Sequence, residues 1–341
     1  MAVGQPSAVS KAVVVITNMT ESIRQHELER STQSNSIEWR GEEFYKYFSV
    51  ESVVGRGRFS LVKQAFCRMT GRSYAVKCFS RHQDAQRIDK SDVEREIQTL
   101  NHLRHSSIVQ AFGAFQTTHE YIVVLQWIPG PSVLEFVCHL GHYTEEMMLE
   151  FAKDLLEGLN YLHDFNFAHL DIKPENLLID PSNSTARLII VDLGSARQCD
   201  GNPQTLFWQG GSAEFAAPEQ VAGLMASTAS DIWAFGVFLY TFVSGTSAFL
   251  DESFDASCSN IVKGDFYFPK KLFHGVCGLL KDLIAQCLKI NTCERFTTKQ
   301  CLESYWINAS PSTEELSTMK LEEYLERRKY EISKCDDIIP L

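Results

Sequence analysis

Between residues 48 and 79 short apolar segments alternate with polar breaks in the way strands do. Segments 48–54, 60–66 and 73–79 alternate apolar and polar positions and are separated by glycine-containing turns, the pattern of an antiparallel sheet. Segment 93–100 changes to a helical period, and 122–128 is a continuous apolar run that reads as a buried strand. That run ends in Pro129, Gly130 and Pro131, a breaker cluster suited to a hinge between two lobes. Farther on the period is helical: Thr144 is a candidate N-cap for a helix carrying Met147, Met148, Phe151, Leu155, Leu159 and Leu162 on one face. The longest apolar run, 232–243, has 12 residues and is expected as a buried core helix. A membrane helix needs about 20.

The two ends differ from this middle. Residues 1–42 are rich in Ser, Thr, Gln, Asn and Glu and show no sustained period, so a disordered or linker segment is expected there, with a short strand at 13–16. In the tail, 308–341, Leu316, Leu321, Tyr324, Leu325 and Arg328 follow helical spacing and predict an amphipathic helix.

Composition narrows the class. At 341 residues, 44% hydrophobic and 11% aromatic, the chain can bury a large core as one two-lobed unit or two domains. Its net charge of −11 argues against attraction to nucleic acid or an anionic membrane surface. Ten cysteines without a CxxC pair or a signal-peptide pattern point to a reducing compartment, and a soluble cytoplasmic protein is expected.

The candidate chemistry clusters in a few stretches. Asp171, Lys173 and Asn176 sit within six residues, followed by the apolar pair Leu177 and Leu178, as in a rigid loop entering a short strand. Asp192 comes 16 residues after Asn176, entered through the apolar run 188–191. Together they supply an acid to orient a hydroxyl, an amide and a carboxylate for Mg²⁺, and a lysine for phosphate charge. Phosphoryl transfer needs such a set, because positioning and charge neutralisation do most of the catalysis. Upstream, Gly55, Arg56, Gly57, Arg58, Phe59 and Ser60 form a glycine-containing loop whose backbone amides can lie over phosphates. Lys77 ends a strand, and Glu96 on the following helix is spaced to pair with it. Asp231 opens the apolar helix at 232–243, where its charge favours the dipole and can cap backbone amides.

Taken in order across about residues 47–307, these segments resemble a eukaryotic protein kinase. The resemblance implies an α+β bilobal fold: an N-lobe (43–128) with a small antiparallel sheet and one main helix, and a larger, mostly helical C-lobe (129–307). It implies ATP and Mg²⁺ as cofactors. Lys77 would hold the α- and β-phosphates, and Asn176 and Asp192 the metal. Leu125 would be the gatekeeper of an adenine pocket, with the backbone of Gln126 and Ile128 bonding the base and Val62, Ala75 and Leu178 against its faces. Glu219 would pair with Arg295 beneath the substrate loop.

Finer features look like the kinase domains of kalirin and Trio, in the calcium/calmodulin-kinase group near death-associated, myosin light-chain and obscurin kinases. They lie at 168–180, 214–219, 249–253 and 264–269. This placement and Lys173 imply a Ser/Thr kinase acting on protein substrates as a monomeric catalytic domain. The roughly 40 residues ahead of the kinase region are too few for the modules kalirin and Trio carry there, so a shorter relative or a fragment is expected.

Four positions depart from the family pattern. Ser60 stands at the third glycine, and Leu193 replaces the Phe of the metal-binding tripeptide. Ser132 stands where many basophilic kinases carry a Glu, which puts a strong arginine preference in doubt. Leu170 replaces the Arg that binds a phosphorylated activation loop, so activity is expected without that phosphorylation. A nucleotide-binding pseudokinase scaffold is the alternative these departures raise. Residues 314–330 hold five Glu against four Lys or Arg, a balance that favours docking of the tail on the kinase over calmodulin binding.

Overall fold

The computed structural model describes residues 37, 39–41, 43–57, 60–81, 90–182, 186–199, 213–310, 312 and 315–336. Two compact units emerge: one runs to Arg104 and includes Gln110–Trp127, the other comprises His105–Val109 and the chain from Ile128 on. The expected strand at 13–16 lies outside the described residues.

The first unit is a six-stranded sheet ordered β1-β5-β6-β4-β3-β2, formed by β1 (Trp39–Arg40), β2 (Phe48–Gly57), β3 (Ser60–Cys67), β4 (Ser73–Ser80), β5 (Ala111–Gln116) and β6 (Glu120–Gln126). Only β1 with β5 is parallel; the other neighbours are antiparallel. Because side chains alternate between faces, one face collects Ala65, Val76, Cys78, Phe115, Ile122 and Val124, covered by Phe44 of the short helix α1 (Phe44–Tyr47). Phe44 stacks on Phe48 at 5.0 Å and meets Phe115 edge-on at 5.3 Å, the arrangements aromatic quadrupoles favour. The main helix is α2 (Lys90–His102), which buries Val93, Ile97 and Leu100.

Three boundaries differ from the sequence reading. β2 continues through Gly57, so Gly55 and Gly57 pair with Val62 and Ser60 as strand residues, after register shifts at Val50–Val53 and Val53–Gly55. Arg58 and Phe59 lie outside the described residues. β6 ends at Gln126, and Ile128 groups with the second unit. Trp39 and Arg40, inside the segment expected to be disordered or linker, form an edge strand. Trp39 packs on Tyr121 at 5.4 Å, and the Ile37 amide donates to Asn101 Oδ1 at 2.8 Å.

The second unit is mostly helical: α3 (Val133–Leu140), α4 (Glu145–Asp164), α5 (Pro218–Val221), α6 (Thr228–Ser244), α7 (Phe254–Lys263), α8 (Gly278–Cys287), α9 (Thr298–Leu302), α10 (Tyr305–Asn308) and α11 (Met319–Asp336). Thr144 Oγ1 accepts from the Met147 amide and starts α4. The apolar run 232–243 lies in α6, buried on nearly every side and closed by Gly245 in the left-handed conformation. Gly130 is required by a close approach, since a Cβ there would lie 1.9 Å from the Ile179 carbonyl oxygen. The short strands are β7 (His142–Thr144), β8 (Phe167–Ala168), β9 (Leu177–Asp180), β10 (Arg187–Ile190), β11 (Arg197–Gln198) and β12 (Glu315–Ser317), paired as β9–β10, β8–β11 and β7–β12.

The tail is part of this unit. β12 places Leu316 opposite Tyr143 of β7, and α11 buries Leu321, Tyr324 and Arg328. Gly245 admits it: a Cβ there would come within 2.5 Å of the Lys320 carbonyl carbon. Among the described residues no helix is long and apolar enough to cross a membrane.

Glu219 and Arg295 meet in the interior. The guanidinium donates to Glu219 Oε1 and Oε2 at 2.8 and 3.1 Å and to the carbonyls of Ala229, Lys289 and Ile290, so all five of its N–H groups are used. Glu219 also accepts from Ser230 Oγ at 2.7 Å. Arg295→Leu would leave this carboxylate buried and unpaired, and is expected to cost about 3–5 kcal/mol in urea denaturation.

Candidate active site

The loop between β8 and β9 holds Asp171, Lys173 and Asn176 on a backbone fixed at both ends. Pro174–Asn176 forms a single 3₁₀ turn that delivers Leu177 directly into β9, and the Val191 amide donates to the Asn176 carbonyl at 2.9 Å. At the other end Leu170 has φ +66°, a left-handed conformation that costs a side-chain-bearing residue roughly 1–2 kcal/mol. Asp231 holds it there: Oδ1 accepts from the Leu170 amide at 2.7 Å, and Oδ2 accepts from the His169 amide at 2.8 Å. His163 Nε2 lies 2.9 Å from the same Oδ2, and Gln220 Nε2 donates to the Leu170 carbonyl at 3.2 Å.

Asp231 is the acid in the first turn of α6, as expected, but the amides it caps belong to the loop and not to its own helix. Helix α6 begins at Thr228 and is capped by Ser227, whose Oγ accepts from the Ala229 amide. The Asp231 carboxylate, one turn in, is 1% exposed as a residue and turned towards the loop instead.

Asp171 is the centre of the cluster. Lys173 Nζ donates to both its carboxylate oxygens, at 3.0 and 2.8 Å, and Asn176 Nδ2 donates to Oδ2 at 3.0 Å and to its carbonyl at 2.8 Å. Burial works against the Lys173 charge, but Asp171, Glu175 and Asp192 outweigh it and hold the ammonium above its ordinary value. The group is therefore charged throughout the neutral range.

The residues present suit magnesium. Asn176 spends its Nδ2 on Asp171, which leaves Oδ1 as the ligand atom, and Asp192 adds a carboxylate at φ +60° whose Oδ1 accepts from the Gly194 amide. An amide oxygen and a carboxylate are hard donors that leave most of an octahedral shell to water and phosphate, as Mg²⁺ prefers.

In the first unit, Lys77 and Glu96 form a buried ion pair, with Nζ donating to Oε1 and Oε2 at 2.8 and 3.0 Å. Register decides what else shares that face. Lys77 lies opposite Val62 and Val123, and Ala75 opposite Leu125, so Val62, Ala75, Lys77 and Leu125 line the face opposite the aromatic core. The Gln126 amide donates to the Gln110 carbonyl at 2.8 Å. Ser60 fits the third glycine position because Gly57 has no side chain: a Cβ there would sit 2.7 Å from Ser60 Oγ. In the second unit Ile128 is buried and Leu178 half-buried, bridged to Ser132.

Sequence reading missed four polar residues. His163 and Gln220 support the Asp231 clasp. Glu175 and Glu214 receive Arg328 from α11 at 2.7 and 2.9 Å. None has a spacing signal, because their partners lie 50 to 153 residues away.

The family model for the protein kinase domain matches residues 48–307. The chain is 30% identical over 281 residues to the death-associated protein kinase dapk-1 of Caenorhabditis elegans, covering 81% of this chain and 20% of that protein. It is 30% identical over 287 residues to myosin light chain kinase 2 (skeletal/cardiac muscle) of Mus musculus, covering 83% and 46% respectively. The chain thus spans less than half the length of either relative. Among solved structures, the twitchin kinase region from C. elegans superimposes with a TM-score of 0.78 at 28% identity, covering 87% of this chain and 52% of that one.

The clasp makes a direct prediction. Asp231→Asn keeps the shape but turns one acceptor into a donor facing an N–H group. It should cost about 1–3 kcal/mol in thermal unfolding and speed hydrogen exchange at the His169 and Leu170 amides.

Proposed function

The chain belongs to the protein kinase family, and from that premise we propose that it transfers the γ-phosphate of ATP to serine or threonine hydroxyls of proteins. The observation that carries this reading is the Asp171 carboxylate, held between Lys173 and Asn176 on a backbone clasped by Asp231. Asp171 orients the acceptor hydroxyl and takes its proton, and Lys173, charged at neutral pH, steadies the transferred phosphoryl group. Asn176 and Asp192 hold Mg²⁺, which supplies charge neutralisation at the phosphates. Lys77, fixed by Glu96, takes the α- and β-phosphates, and the backbone of Gly55, Gly57 and Ser60 lies over them. Val62, Ala75, Leu125 and Leu178 offer apolar surface to the base, with the backbone of Gln126 and Ile128 as its hydrogen-bonding edge.

The departures at Ser60, Leu170 and Leu193 leave every reacting group in place, so no observation favours a scaffold without transfer. Lys173, two residues past the base, supports Ser/Thr specificity. The motifs at 168–180, 214–219, 249–253 and 264–269 support placement in the calcium/calmodulin-kinase group beside the kalirin and Trio kinase domains. We read the chain as a monomeric cytoplasmic kinase domain whose tail serves the kinase and not calmodulin. Leu170 offers no guanidinium to a phosphorylated activation segment, so activity is independent of that modification.

With labelled ATP, Mg²⁺ and a basic protein substrate, Asp171→Asn is expected to lower transfer by about a hundredfold or more. Absence of transfer by the unaltered protein across several substrates would overturn the reading. Prior phosphatase treatment is expected to leave the rate unchanged; a large loss would remove the role assigned to Leu170.

A further inference from the structure

Register lays one row of residues across the sheet of the first unit, from its outer edge to the lysine of the buried ion pair. Trp39 of β1 lies opposite Ala114 of β5, Ala114 opposite Val123 of β6, and Val123 opposite Lys77 of β4. Residues paired in this way point to the same face, so Trp39 shares the face of Lys77, three strands away. At the usual strand spacing the separation is roughly 14 Å, little more than the width of one helix with its side chains.

Helix α2 lies on this face, since its Glu96 meets Lys77 there. The segment around Trp39 grips the same helix from the edge. Trp39 Nε1 donates to Glu94 Oε1 at 3.3 Å, and the Lys90 ammonium sits 5.5 Å from the centre of the indole. Lys90 also pairs with Glu94 at 3.2 Å, and the Ile37 amide donates to Asn101 Oδ1 at 2.8 Å. Positions 90, 94 and 101 return to one stripe of a helix, and that stripe runs from the first turn of α2 to the last. Glu96 falls on a different side, so α2 is taken from two directions. Trp39 is itself seated on Tyr121, whose ring is also covered by Arg81 at 5.0 Å.

An exposed ion pair such as Lys90–Glu94 contributes little by itself. Here the gain is geometric. A buried ion pair offsets the loss of water only while both partners keep their bonding geometry. The inner stripe of Val93, Ile97 and Leu100 holds α2 against the sheet, but apolar contact has no direction and permits sliding. The bonds from Trp39 and Ile37 are directional, and they fix the helix along its length and about its axis.

Resting on the kinase reading above, we propose that Trp39 and the edge strand it begins are a brace that positions Glu96 on Lys77. Trp39 thereby acts on the nucleotide phosphates through Lys77, as a positioning residue.

The test uses the full chain and reads Mg²⁺-ATP affinity by calorimetry, kcat/KM for ATP, and hydrogen exchange along α2, below the melting temperature of each variant. Trp39→Ala should weaken Mg²⁺-ATP binding about tenfold and speed exchange in α2. Trp39→Phe keeps a ring on Tyr121 and beneath Lys90, and should recover most of that affinity. Asn101→Leu loosens the other end of the helix and should act in the same direction; the same criteria apply to it if Trp39→Ala does not fold. In a Glu96→Gln background Trp39→Ala should cost no further affinity, because the contact it serves is already gone. Unchanged affinity in the folded variant, or a full additional loss in the Glu96→Gln background, would make Trp39 a residue of fold stability alone and overturn the proposal. Trp39-dependent nucleotide binding without phosphate transfer by the unaltered chain would uphold the brace and overturn the kinase reading instead.

Discussion

The geometry of the catalytic loop rests on one buried carboxylate. Asp231 satisfies the amides of both His169 and Leu170 while Leu170 holds a left-handed backbone that its side chain disfavours. The cost of that conformation is offset by two charge-assisted hydrogen bonds in a site closed to water, where such bonds are strongest. α6 makes this possible. Its packing on nearly every side leaves the first turn no freedom, so Asp231 reaches the loop from a fixed point. Asp171, Lys173 and Asn176 inherit their positions from this clasp.

The first unit solves a different problem with strand alternation. One face of its sheet holds an aromatic and aliphatic core under Phe44; the other presents Val62, Ala75, Lys77 and Leu125. A one-residue slip of β4 would exchange the two sets, sending Val76 outward and Lys77 into the core. The Lys77–Glu96 pair therefore depends on the same register that fills the core. Its lysine is 7% exposed, which is tolerable because both carboxylate oxygens of Glu96 accept from it.

The tail is anchored to the second unit by several independent contacts. β12 secures it against β7, Gly245 lets α11 approach closely, and Arg328 locks onto Glu175 and Glu214. Apolar burial of Leu321 would hold such a helix at many places on a surface. The acid pair adds direction, because the buried Glu214 carboxylate and the half-buried Glu175 accept from one guanidinium at fixed positions.

Much of this was legible in the residues. Strand alternation between residues 48 and 79, the helical period at 93–100, the Thr144 cap and the apolar run at 232–243 are local patterns, and local sterics and periodicity determine them. The spacing of Asp171, Lys173 and Asn176 is local as well, and so is the polarity of the tail helix. Tertiary structure decided the rest. Asp231 looked like a helix-start residue, since nothing nearby in sequence reveals that its carboxylate turns to amides 61 and 62 residues away. Gly57 was read as loop, because whether pairing runs on through a glycine depends on the opposite strand. Arg328 shared the helical spacing of the tail, and Glu175 and Glu214 lay in separate motifs; only long-range packing brought the three together. Short-range pattern sets which elements form; burial, which no single segment specifies, sets which polar groups must find each other.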